Sequence, residues 1–141
     1  MGTEARLTLT GRQRDEAGQE TVIKSSFPAD YYEKGGSCYI LYEEQAQDSG
    51  AVTRNAIKLK GSVLEMTRRG EIHSRMVFEA GKSHLTDYVT PYGTLRMEIL
   101  TKALEISRRD NGLEAVLDYI LYLDGQFLSD CKLTVSMNLF P

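Results

Sequence analysis

Asp110-Asn-Gly-Leu-Glu-Ala-Val-Leu-Asp-Tyr-Ile-Leu-Tyr-Leu-Asp-Gly125 is the stretch on which the fold turns. Leu113, Ala115, Leu117, Tyr119, Leu121 and Leu123 all fall on one parity. Successive Cβ atoms of a strand point to opposite faces, so this period of two predicts one long strand with an apolar face. Asp110-Asn-Gly112 and Asp124-Gly125 bracket it, and such dipeptides make tight hairpin turns. Beyond the second turn, Phe127, Cys131, Leu133, Val135 and Met137 return on one parity, opposed by Asp130, Lys132, Thr134 and Ser136. The C-terminal third therefore reads as a long antiparallel hairpin.

The N-terminal side repeats the pattern. Leu7, Leu9 and Gly11 alternate with Arg6, Thr8, Thr10 and Arg12, the signature of a half-buried strand. Asp15–Gly18 turns, and Thr21–Phe27 forms a second strand expected to end near Pro28. Asp30–Gly36 reads as a loop or a short helical turn, with Gly35-Gly36 supplying positive φ. Ser37–Gln45 is apolar on both parities, which predicts cover on both sides. Asn55, Ile57 and Leu59 then alternate with Ala56, Lys58 and Lys60. Leu64 and Met66 precede a turn at Arg68-Arg69-Gly70-Glu71. Ser74, Met76 and Phe78 oppose His73, Arg75, Val77 and Glu79, and Ala80-Gly81-Lys82 turns once more.

Thr94–Arg109 supports two readings. Leu95, Ile99, Ala103 and Ile106 have helical spacing, with Thr94 as a cap. As a strand, Leu95, Met97 and Ile99 share a face while Leu104 and Ile106 have the opposite parity. A strand would need a bulge between Leu100 and Ala103. Periodicity leaves both open.

A chain of 141 residues has the size of one domain, and folding buries roughly 70% of the surface of such a chain. No linker, repeat or low-complexity segment divides residues 1–141. Eight or more antiparallel strands must close or stack, because a flat sheet leaves long edges open to pairing. Short hairpin connections favour an all-β, antiparallel up-and-down barrel over a sandwich with long crossovers. A net charge of −3 offers no general attraction to nucleic acid or to an anionic membrane. No apolar run approaches the ~20 residues of a membrane span, and the start lacks the apolar core of a signal peptide. Gly2 does not make a myristoylation motif, because Arg6 stands where Ser or Thr is needed. Cys38 and Cys131 are isolated and lie in apolar context, so they are expected as buried reduced thiols of a cytoplasmic protein.

Several of these segments resemble one family. Gly70, Ser74, Met76 and Phe78, then Gly81-Lys82 and His84, then Thr90-Pro-Tyr-Gly93 match the pattern of the YwiB-like proteins, a bacterial domain-of-unknown-function family. Gly36, Tyr39, Tyr42-Glu43 and the Leu104–Ile106 segment fit it too. The resemblance spans essentially the whole chain. It implies a calycin or lipocalin-like β-barrel, and hence strand rather than helix after Gly93. It implies no activity, substrate, cofactor or catalytic residue.

The residues themselves suggest a site in His84-Leu-Thr-Asp-Tyr-Val-Thr-Pro-Tyr-Gly93. Pro91 and Gly93 suit a tight turn, and Tyr88 and Tyr92 are expected to lie over an open barrel end. An eight-stranded barrel is filled by side chains or holds one small ligand. The preferred expectation is a small, largely apolar ligand entering near His84, Tyr88 and Tyr92, with Arg75 meeting an anionic group if it faces inward. The alternative is an enzyme using His84 with Tyr88 or Asp87 as acid and base. A third is an interaction module or homodimer, pairing through a strand edge or through Asn138–Pro141. Two histidines without a third ligand make no metal site, and no cofactor is expected. Glu43 and Glu44 point to opposite faces and cannot act as a carboxylate pair. Lys58, Lys60, Arg68, Arg69 and Arg75, with Tyr39 and Tyr42, imitate a nucleic-acid platform, but the acidic balance argues that they are outward faces and turns.

Overall fold

In the computed structural model, described over residues 2–140, the chain forms ten strands and, among those residues, no helix. They are β1 (Thr3–Arg14), β2 (Glu20–Lys34), β3 (Ser37–Gln45), β4 (Val52–Lys60) and β5 (Val63–Arg69). β6 (Ser74–Glu79), β7 (Ser83–Thr90), β8 (Gly93–Arg109), β9 (Gly112–Leu123) and β10 (Gln126–Leu139) follow. All pairings are antiparallel within one sheet, in the order β6-β5-β4-β3-β2-β1-β10-β9-β8-β7. The result is a nearly closed barrel, as the turn spacing predicts.

Closure is made by the ends of the chain. β1 and β10 pair without interruption from Ala5↔Leu139 to Arg14↔Asp130. The seam lies instead between sequence neighbours. β6 and β7 share only the bridge His73↔Val89, with the Thr86 hydroxyl donating to the Arg75 carbonyl at 2.6 Å. Gly81 N–H donates to Thr101 O at 2.8 Å, so the turn between β6 and β7 leans on β8.

Two local expectations are corrected and one open reading is settled. β2 does not stop at Pro28 but runs on to Lys34, and Asp30–Lys34 is strand rather than loop. Proline is tolerated there because β2 pairs with β3 only from Asp30↔Leu41 onward, so at Pro28 one edge needs no donor. Gly35 and Gly36, both at positive φ, form the hairpin turn that follows. Phe127 does not face inward with Cys131. A bulge between Phe127 and Ser129 flips it out, against Tyr122, with ring centroids 6.4 Å apart. Thr94–Arg109 is strand throughout, and its register shifts between Thr101 and Ala103, the break that the strand reading requires.

The interior is layered by register. Cys38, Leu59, Leu64 and Phe78 align across β3 to β6, and Ile40, Ile57, Met66 and Met76 form the next row. Leu7, Leu117, Ile99 and Val135 close the far side, all fully buried. Each such side chain contributes about 1.5–3 kcal/mol by leaving water, which is what holds this sheet curled. The middle of the barrel is filled with side chains. Cys38 and Cys131 are buried free thiols, as expected.

Candidate functional site

One row further along β3 to β6, the interior turns polar. Tyr42 pairs with Asn55, Asn55 with Arg68, and Arg68 with Ser74. All four keep the parity of the apolar row beneath, so they face inward. Tyr88 on β7 joins them: Arg68 Nη1 donates to its hydroxyl at 3.4 Å. Asn55 Nδ2 donates to Glu44 Oε1 at 2.9 Å. Asn55 and Ser74 are only 4% and 3% exposed, yet among the described residues Asn55 Oδ1 and Ser74 Oγ have no hydrogen-bond partner. Leaving such buried atoms unsatisfied costs about 1–3 kcal/mol each, so this row is held at a cost to stability.

Electrostatics follow from burial. Burial pushes the Tyr42 hydroxyl up to about 12, the Glu44 carboxylate adds to this, and the Arg68 charge opposes it. Tyr119, on the far wall, is raised in the same way by burial first and then by Cys131, again against Arg68. The Arg68 charge thus acts on tyrosines of two walls.

Opposite the polar row the mouth is apolar. Leu9, Phe27 and Leu133 are half-buried, and Ile23, on the parity of Phe27, is 64% exposed. Phe27 and Tyr42 meet across the gap with ring centroids 4.9 Å apart. The gap exists because β2 and β3 diverge beyond Asp30↔Leu41. A groove of about 1580 Å³ runs over the outer face of β2 to β5, lined by Tyr39, Arg54, Lys58 and Glu65 among others. It reaches Ala29, Tyr42, Glu44 and Asn55 of the inward rows where β2 and β3 part, but neither Arg68 nor Tyr88 lines it. On its outer side Tyr32 stacks on Tyr39, and Lys58 lies over the Tyr39 ring.

The residues singled out from the sequence are not gathered together. Tyr88 is at the mouth, on Arg68. His84 faces inward near the opposite end of β7, with Nε2 buried and 3.7 Å from Glu79 Oε1. Four residues along a strand place it roughly 13 Å from Tyr88. Asp87 is on the outer face, 3.4 Å from Arg96 Nε, so no dyad with His84 is assembled. Arg75 points outward and grips Glu65 with two hydrogen bonds of 2.9 and 3.1 Å, which leaves unmet the condition under which it was to bind an anion. Tyr92 is 99% exposed and caps nothing. Thr90 stabilises that turn instead, its hydroxyl donating to Gly93 O at 2.9 Å.

Arg68 is the residue that sequence reasoning placed on the wrong side, among outward basic groups. The signal was present. Leu64, Met66 and Arg68 share one parity, so the arginine ends an apolar stripe. The other basic residues of that strip behave as surface, and Glu43 and Glu65 neutralise Arg54 and Arg75. Among the described residues no cluster of histidine, cysteine and carboxylate has the makings of a metal site. Phe140 of the tail is exposed, with Arg6 over its ring at 5.9 Å; Pro141 lies outside the described residues.

The family model "Domain of unknown function (DUF1934)" matches residues 7–135. The chain belongs to this family. Its fold is similar to that of the ywiB protein from Bacillus subtilis, a crystal structure that it matches with a TM-score of 0.87. The match covers 99% of this chain and 93% of that one at 19% identity, which speaks for the fold alone. The YwiB-like resemblance is therefore borne out over nearly the whole chain. No curated protein matches.

Proposed function

We propose that the protein binds a small, largely apolar ligand at the barrel end that holds Arg68 and Tyr88, in the manner of a lipocalin-like barrel with a shallow site. The observation that supports this most is the two-sided mouth: an apolar wall from β1, β2 and β10 faces a polar row from β3 to β7. Binding sites are typically apolar clefts with a few placed polar groups. The filled middle confines any ligand to the mouth. Tyr88 stays in the site, Arg68 takes the role first given to Arg75, and His84 and Tyr92 have no part in it.

Cytoplasmic residence belongs to the same reading, supported by two free buried thiols. No helix among the described residues is long and apolar enough to cross a membrane. The test is native mass spectrometry of gently purified protein, joined to displacement of Nile red by 1-dodecanol, both neutral molecules. A co-purifying small molecule or displacement is expected. Bare polypeptide together with no displacement would overturn the reading.

The enzyme alternative has less support, because His84, Asp87 and Tyr88 occupy two faces and two levels of β7. A shared acid–base step needs groups within hydrogen-bond reach of one substrate.

A further inference from the structure

We propose that the ligand carries a single carboxylate, seated on the Arg68 guanidinium and the Tyr88 hydroxyl. This rests on the binding reading above and adds the chemical class of the head group.

The outer arginines of the sheet are either paired with a carboxylate or exposed to water. Arg54, Arg75 and Arg96 each sit on a neighbouring carboxylate, Glu43, Glu65 and Asp87, while Arg6, Arg69 and Arg109, without one, are exposed to water. Arg68 is different. It is half-buried, faces inward, and among the described residues takes part in no ion pair. Its one hydrogen bond is the long one to Tyr88. A partly desolvated guanidinium favours a carboxylate or phosphate, whose two oxygens match its fork. Ser74, next to it in register, adds a buried hydroxyl with no partner that can donate to the same oxygens.

Two neighbours limit the charge of that guest. Asn55 is oriented by its donation to Glu44, which leaves Oδ1, an acceptor, beside Arg68. The Glu44 carboxylate lies just behind it. A guest with two negative charges would meet both of these negative ends, whereas a monoanion is matched by the single guanidinium. Carboxylate is therefore favoured over phosphate, and Ile23, Phe27 and Leu133 supply the wall for its apolar tail.

Calorimetric titration of the full chain with dodecanoate, dodecyl phosphate and 1-dodecanol, at pH 7 and below micelle formation, separates the outcomes. Dodecanoate should bind about ten- to a hundredfold more tightly than dodecanol, the range expected for charge-assisted hydrogen bonds. Arg68→Met should remove that difference, and Tyr88→Phe should reduce it by a smaller factor. Equal binding of acid and alcohol by the unaltered chain overturns the head-group inference and leaves the binding reading standing. Phosphate binding above carboxylate overturns the choice of a monoanion. Binding of none of the three overturns both readings. The comparison of ligands on the unaltered chain needs no variant to fold.

Discussion

The two ends of the barrel carry the same device with different completion. Leu64, Met66 and Arg68 on β5, and Leu104, Ile106 and Arg108 on β8, are apolar stripes that each finish in an arginine. At one end Arg108 Nη1 donates to Cys38 Sγ at 3.1 Å, and the Tyr31 hydroxyl donates to the same sulfur at 3.2 Å. The Arg108 pKa is held above its ordinary value, first by that contact with Cys38. At the other end Arg68 has a single long hydrogen bond, and among the described residues Asn55 Oδ1 and Ser74 Oγ beside it have no partner. A completed cluster contributes to stability. An incomplete one costs stability, and its unpaired groups are what the proposed ligand would satisfy.

If that contrast is right, trimming one polar atom at each end should have opposite effects. Cys38→Ala removes the acceptor shared by Arg108 and Tyr31 and opens a small void. It should destabilise by about 2–3 kcal/mol in urea unfolding. No loss of stability would mean that the Arg108 end is not a closed cluster.

High pH probes both ends at once. Burial raises Tyr31 to about 12, with Cys38 adding to it, and burial raises Tyr42 to about 12. A raised folded-state pKa means that the native state keeps protons which the unfolded chain loses. The contribution is therefore complete below pH ~10 and is lost as pH rises toward ~12. For the well-buried Tyr42 it is about 2–3 kcal/mol. Tyr42→Phe should flatten the alkaline loss of stability; an unchanged profile would refute the shift.

Ser74→Ala goes the other way. Removing an unsatisfied buried hydroxyl should stabilise by about 0.5–1 kcal/mol, while weakening dodecanoate binding. A loss of stability instead would show that Ser74 is satisfied and that the Arg68 end is as complete as the other. Arg75→Ala should matter least, about 0.5 kcal/mol with ligand affinity unchanged, since exposed ion pairs contribute little. A clear loss of affinity would return Arg75 to the site.

Much of this architecture is legible in the sequence alone. The alternations of β1, β9 and β10 and the turns at Gly35-Gly36, Asn111-Gly112 and Asp124-Gly125 are local, and local chemistry decides them. The bulge at Lys102 was legible as the condition for a strand, because Met97–Ile99 and Leu104–Ile106 differ in parity; choosing strand over helix was not. That choice depends on tertiary pairing: β7 pairs with Gly93–Leu100 and β9 with Met97–Arg109, and this overrides the helical spacing of Leu95, Ile99, Ala103 and Ile106. Pro28 and Phe127 misled for related reasons. A proline is harmless where one edge is unpaired, and a bulge reverses every side chain beyond it.

The site was legible only in part. Tyr88 stands where a barrel end was expected, and the parity of Leu64, Met66 and Arg68 pointed inward but was outweighed by the run of basic residues around it. What the sequence determined by itself is the period, the turns and the sign of each face, since these depend on residues two to four apart. What only the tertiary structure decided is where the barrel closes and which polar groups meet. β1 and β10 pair from Ala5↔Leu139 to Arg14↔Asp130 although they are far apart in sequence, while β6 and β7, adjacent in sequence, are joined by the bridge His73↔Val89 and not by a ladder. Register across five strands brings Tyr42, Asn55, Arg68, Ser74 and Tyr88 to one level. No spacing along the chain encodes that level, because each hairpin sets its register by its own turn and the row exists only when all of them add up.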